Sequence, residues 1–173
     1  MFDFLNPKQI IHNLSFLNSR MVACDIGSGS GGWTIPLAKR LNNGKVYAID
    51  IKEEALSALR SKLDSEKVSN VQLLLADIEK GVKIADNTID FIILSNVLFE
   101  LEDKKRALEE SKRILKSNGH LLIIDWKKIE SMGAKNRAVS RENMIIIASE
   151  LNLNLKEEFD SGNYHFALVF KNE

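Results

Sequence analysis

Met21-Val-Ala-Cys-Asp-Ile-Gly-Ser-Gly-Ser-Gly-Gly32 is an apolar run that ends in an acid and leads into a glycine-rich turn. Five apolar residues in the six from Met21 to Ile26, without polar alternation, suit a strand buried on both faces, as in parallel sheets. The glycines let the backbone turn tightly and approach a ligand closely. A helix follows to Leu41. Pro36 lacks a backbone donor, so the helix accommodates it only within its first turn or two.

Strands and helices alternate outward from this unit. Asn6-Pro-Lys-Gln9 is a helix start, with Asn6 as cap, Pro7 at the first helical position, and Leu5 and Ile10 placed as a staple; the helix is expected to reach about Leu14. Lys45–Asp50 reads as a strand, Glu53–Leu63 as a helix with Leu56, Leu59 and Leu63 on one face, and Val71–Leu75 as a strand. Asp86-Asn87 is turn chemistry before a strand at Ile89–Leu94. A helix over Lys104–Leu115 is expected to stop at Ser117-Asn118-Gly119. His120–Asp125 is the fifth strand and Arg141–Leu151 the last helix. Leu153–Phe159 and Tyr164–Phe170 flank Asp160-Ser-Gly-Asn163, a hairpin signal. These elements predict an α/β fold: a doubly wound, mostly parallel, seven-stranded Rossmann-like sheet with a C-terminal antiparallel hairpin.

The composition agrees. The chain has 173 residues, 24 basic against 24 acidic, and 45% hydrophobic residues. That length suits one domain. Zero net charge argues against broad electrostatic capture of nucleic acid or anionic membrane. No apolar run approaches the roughly 20 residues of a membrane helix. The N-terminal residues lack a basic stretch leading into an apolar one, so no signal peptide is expected. One cysteine precludes an internal disulfide and fits a reducing, cytoplasmic setting. His12, His120 and His165 have no metal-ligand spacing, so no metal is expected.

In doubly wound sheets ligands bind beyond the carboxyl ends of the strands. Asp25, Asp50, Asp77, Ser95-Asn96 and Asp125 all stand at or just after strand ends. Gly27, Gly29 and Gly32 fit G-x-G-x-x-G, the dinucleotide fingerprint, and Asp50 follows at a spacing suited to a ribose-binding acid. On the glycines alone, a nicotinamide-dependent oxidoreductase and an adenosyl-cofactor enzyme are both open.

Counted from Asp25, the same turn is D-x-G-x-G-x-G, which resembles the first motif of class I S-adenosylmethionine-dependent methyltransferases. Leu75-Ala-Asp77-Ile78, Val46-Tyr-Ala-Ile-Asp50, Ile89-Asp-Phe-Ile-Ile-Leu-Ser-Asn96 and Arg113-Ile-Leu-Lys-Ser-Asn-Gly119 are similar to further family segments, those of the ubiquinone/menaquinone-biosynthesis-like group in particular. Asp25 favours this reading on physical grounds as well, because it would repel a pyrophosphate and attract an ammonium and a sulfonium. The resemblance implies one methyltransferase domain over residues 1–173. The backbone of Gly27, Ser28, Gly29 and Gly31 would line the methionine portion of S-adenosylmethionine, with Asp25 turned toward its amino group through water. Asp50 would hold the ribose, and Ile51 would pack on adenine. Asp77 would accept from the adenine amino group, and the Ile78 N–H would donate to the ring. Ser95 and Asn96 would border the methyl group.

The resemblance specifies the cofactor and leaves the acceptor open. A small molecule is expected, with a homo-oligomer as a further possibility; a non-catalytic cofactor-binding module is the alternative outside enzymes. No catalytic residue is assigned. Glu100, His12 and His165 are candidate bases, and Trp126 is a candidate pocket wall. The basic stretch from Trp126 to Arg141 is a candidate specificity segment.

Overall fold

The computed structural model describes residues 5–127, 139–161 and 164–173, leaving most of the basic stretch, and the centre of the expected hairpin turn, outside the described residues. Seven strands form one sheet: β1 (Val22–Ile26), β2 (Lys45–Asp50), β3 (Val71–Leu75), β4 (Ile89–Ser95), β5 (Leu115–Trp126), β6 (Leu153–Asp160) and β7 (His165–Asn172). Among the described residues five α-helices accompany them: α1 (Pro7–Asn13), α2 (Thr34–Arg40), α3 (Glu53–Ser65), α4 (Lys104–Ile114) and α5 (Arg141–Glu150). The strand order is β3-β2-β1-β4-β5-β7-β6. The first five strands are parallel, and β7 runs antiparallel between β5 and β6. The expected architecture is the observed one.

Alternation along the strands divides the core between the two faces. Cys24, Ile26, Ile92, Leu94, Leu121 and Ile123 pack with Leu108 and Ile114 of α4 and Met144 and Ala148 of α5. Ala23, Phe91, Ile93, Leu122 and Ile124 pack on the other side with Ile11 of α1 and Leu37 and Ala38 of α2. Every one of these side chains is buried, so the central strands need apolar residues at consecutive positions. No described helix is long and apolar enough to cross a membrane.

Local chemistry sets the ends. Asn6 caps α1 by accepting from Gln9 N at 3.1 Å. Pro36 falls at the third position of α2, where its missing donor is tolerated. The junction of α4 and β5 differs from the sequence expectation, with β5 beginning at Leu115 instead of His120. Helix α4 ends at Ile114, with Leu115 already extended as its cap. Ser117-Asn118-Gly119 is not the stop; it lies in an irregularity within β5, where the pairing jumps from Ile89↔Leu115 to Phe91↔His120. Asn118 takes φ 64°, and Lys116 Nζ closes the loop onto Asp90 Oδ1 at 2.8 Å. Turn-forming residues therefore mark a bulge here, one element later than a helix stop.

Candidate functional site

The strand order reverses between β1 and β4, which leaves a crevice above their carboxyl ends. The turn after β1 is pinned toward β2, because Gly27 N and Ser28 N both donate to Ile49 O, at 2.8 and 2.9 Å. Gly27 has φ 74°, and a Cβ there would lie 2.1 Å from Val97 Cγ2, in the segment after β4. Glycine is what allows the two segments to close together. Gly29 has φ 51°, yet a Cβ there would meet nothing within 4 Å. Its bare backbone faces a cavity of about 360 Å³, within the range of small-ligand sites.

That cavity gathers Gly27, Gly29, Asp50, Ile51, Asp77, Ile78 and Asn96 from four separate strand ends. Asp50 Oδ2 accepts from Gly29 N at 2.8 Å, and Oδ1 accepts from Lys52 N at 2.9 Å, just before α3. Ile51 is 63% exposed, an apolar surface with no protein covering it. Asp77 accepts from Glu79 N at 3.0 Å and pairs with Lys80 Nζ at 2.9 Å. The Lys80 bond is the main reason its carboxyl is held below the ordinary carboxylate range. Ile78, one residue on, is buried in the single 3-10 turn Ile78–Lys80.

Asp25, Ser28, Gly31 and Ser95 do not line the cavity. Asp25 is 1% exposed and accepts from Thr34 Oγ1 at 2.5 Å. Burial is the main cause that pushes its carboxyl up to about 6, with the Asp50 charge adding to it and the Thr34 bond opposing. Gly31 lies under α3, where a Cβ would come within 2.4 Å of Leu59 Cδ1. The buried atoms Ser28 Oγ, Ser95 Oγ and Asn96 Oδ1 have no hydrogen-bond partner among the described residues. Buried polar atoms are normally paired, and of the three residues Asn96 is the one that borders the cavity, where its orphaned oxygen suits a polar ligand. Asp50 beside a glycine turn suits a ribose, and the exposed Ile51 suits a flat base. The residues present fit an adenosyl cofactor.

The candidate bases separate. His12 is exposed on α1, beside Pro36 and Lys39. Glu100 borders the cofactor-sized cavity. His165 stands at the start of β7, its ring 4.2 Å from that of Trp126. Sequence reading had no means to find Val97, whose importance depends on Gly27 lying beside it. Asp125 was visible as a strand-end acid, but its work lies elsewhere. Its carboxylate accepts from Leu98 N at 2.9 Å and Trp126 N at 2.7 Å, which anchors the segment after β4.

The fold and the crevice define a class: a doubly wound domain whose crevice, at the switch point of its sheet, fits an adenosyl group. The Methyltransferase domain family matches residues 17–166. The ubiquinone/menaquinone biosynthesis C-methyltransferase UbiE of Hydrogenovibrio crunogenus is 32% identical over 118 residues, 67% of this chain and 46% of that protein. The protein of the same name from Idiomarina loihiensis is 34% identical over 110 residues, covering 62% and 43%. The chain thus spans about half the length of the curated relatives it matches. A crystal structure of an S-adenosylmethionine-dependent methyltransferase from Aquifex aeolicus superposes with TM-score 0.89 at 28% identity, covering 99% of this chain and 92% of that one. The [4+2]-cyclase SpnF shares the fold alone, with TM-score 0.84 at 14% identity over 95% of this chain and 79% of its own. The chain belongs to the class I S-adenosylmethionine-dependent methyltransferase family, in the group that resembles the ubiquinone/menaquinone-biosynthesis enzymes.

Proposed function

We propose that this chain moves a methyl group from S-adenosylmethionine to a small-molecule acceptor. The observation that carries the reading is the Asp50 carboxylate bridging the Gly29 turn and the entry to α3, beside an exposed Ile51. The bound cofactor supplies a methyl group already activated on a sulfonium. The chain then has to bind, orient and exclude water. Asp50 is placed to take ribose hydroxyls, and Asp77 and the Ile78 N–H to take the adenine edge. The Gly27 and Gly29 backbone is placed to cradle the methionine portion, while the buried Asp25 holds Thr34 behind the turn. Ser95 and Asn96 end β4 at the reacting side. The names of the relatives support a quinone-type carbon acceptor ahead of other small molecules.

The nicotinamide alternative places a pyrophosphate over the glycine turn, close to Asp50, where like charges repel. Titration calorimetry separates the two readings. S-adenosylhomocysteine is expected to bind in the micromolar range and NADH not at all. Binding of NADH without S-adenosylhomocysteine would overturn the proposal.

A further inference from the structure

We propose that Asp125 is a positioning residue for cofactor binding: from behind the cavity, its carboxylate holds the segment after β4 in the shape that forms one cavity wall. The inference rests on the cofactor reading above and adds to it a residue that does not touch the ligand. Asn96, Val97, Glu100 and Leu101 border the cavity, and Asp125 stands outside it. Asp125 is 4% exposed near the end of β5. Its Oδ2 accepts from Leu98 N at 2.9 Å and its Oδ1 from Trp126 N at 2.7 Å. The N–H groups of Val97 and Phe99 are directed at the same carboxylate. Three successive N–H groups thus converge on one anion, a nest that satisfies the buried charge and fixes the backbone supplying it.

The rest of the wall is built on those three residues. Asn96 leaves β4 in the left-handed conformation, φ 55°, with its N–H on Ile124 O at 2.9 Å. Glu100 N then donates to Val97 O at 2.9 Å, and Leu101 N to Leu98 O at 3.3 Å. The turn that carries Glu100 and Leu101 to the cavity therefore starts from the residues that Asp125 holds. Val97 also packs on Gly27, so its position sets how closely the glycine turn and this segment approach. The far end has supports of its own, because Asp103 N donates to Glu79 Oε1 and Lys104 Nζ to Leu101 O. The Leu98 side chain is buried in the core. Loss of the carboxylate should loosen the wall without unfolding the domain.

A wall already in place costs the ligand nothing to order, whereas a loosened one must be ordered at the expense of affinity. Asp90 provides the matched comparison at the other end of β4. Its carboxylate accepts Val22 N at 2.8 Å and Lys116 Nζ at 2.8 Å, at the amino edge of the sheet, away from the cavity. The two acids do the same structural work at opposite edges, and Asp125 alone holds a segment that reaches the ligand.

The probe is S-adenosylhomocysteine, titrated by calorimetry at pH 7.5, with circular dichroism recorded for each variant. Asp125→Asn keeps one acceptor oxygen and should weaken binding about three- to tenfold. Asp125→Ala keeps none and should weaken it about thirtyfold or more. Asp90→Ala loses bonds of the same kind at the far edge and should bind within twofold of wild type. Three results would overturn the proposal: Asp125→Asn within twofold of wild type, Asp125→Ala binding no more weakly than Asp125→Asn, or Asp90→Ala as weak as Asp125→Asn. Asp125→Asn matches the native side chain in shape, so the first and third comparisons decide even where Asp125→Ala does not fold. Wild type that fails to bind S-adenosylhomocysteine would instead sink the cofactor reading.

Discussion

Asp50 Oδ2 and Gly29 N are joined by a 2.8 Å hydrogen bond that ties the end of β2 to the glycine turn after β1. The other carboxylate oxygen takes Lys52 N, so Asp50 organises both the turn and the approach to α3. Two roles meet in one side chain, and one variant reads both. Asp50→Ala removes charged hydrogen bonds to a ribose, worth roughly 1.5–3 kcal/mol each. It should weaken S-adenosylhomocysteine about tenfold to a few hundredfold, at 1.4 kcal/mol per decade. It should also cost about 1 kcal/mol of stability through the lost backbone contacts. Calorimetry and urea denaturation on the same variant measure the two effects. A stability loss with affinity intact would remove Asp50 from the binding site.

Gly27 and Gly29 carry opposite expectations. A Cβ at Gly27 collides with Val97, whereas a Cβ at Gly29 meets only open cavity. Gly27→Ala should therefore lower stability by about 2 kcal/mol or more, since the two segments must part. Gly29→Ala pays only for its left-handed backbone, about 1 kcal/mol. Its methyl group, however, projects where the cofactor would lie, so S-adenosylhomocysteine affinity should drop at least tenfold. Near-native circular dichroism with lost binding is the expected signature for Gly29→Ala. Retained affinity would mean that Gly29 faces solvent only.

These contrasts show what a sequence can and cannot carry. Met21–Gly32 announces the βα unit because burial on both faces demands an unbroken apolar run, and a tight turn demands glycine. The central strands were legible for the same reason, whereas the largely exposed β6 was signalled by the turn residues that follow it. Ser117-Asn118-Gly119 was misread as a helix stop, since the same residues serve a bulge equally well and only the β4 register distinguishes the two. The orphaned Nε2 of His165 and the meeting of Gly27 with Val97 arise from pairing between strands far apart in the chain. No local pattern records them.

Arg113 anchors the segment that follows the Ile78–Lys80 turn. Its guanidinium donates to Val82 O and Ile84 O and engages both Glu110 and Asp86, while Glu110 also accepts Val82 N. Glu110 is 5% exposed, so Arg113→Ala strands a buried carboxylate. The expected loss is about 3 kcal/mol. Arg113→Lys should recover little, because one ammonium cannot replace a planar fork serving four groups. A melting point within 2 °C of wild type for Arg113→Ala would show that the network is incidental.

Asp25 and Asp125 make stability depend on pH in an unusual direction. Burial is the leading cause in both, and each carboxyl is raised from an ordinary 3.8 to about 6. A group whose folded pKa lies above its unfolded one binds its proton more tightly when folded. Its contribution is full below the unfolded value and is lost as pH rises through the folded value. Between about pH 4 and 6 the folded state holds the extra protons, so stability falls as the pH rises. At 1.36 kcal/mol per pKa unit, each site contributes about 3 kcal/mol between those limits. Asp77 and Glu110 act oppositely, since their carboxyls are held below the usual range and their pairs fail in stronger acid. Stability should therefore peak near pH 4 and decline until about pH 6. Asp25→Asn keeps an oxygen for Thr34 and removes the titration, so its stability should decline less between pH 4 and 7. Denaturation midpoints at those two pH values test the point. A variant that declines as steeply as wild type would show that Asp25 is ionised throughout this range.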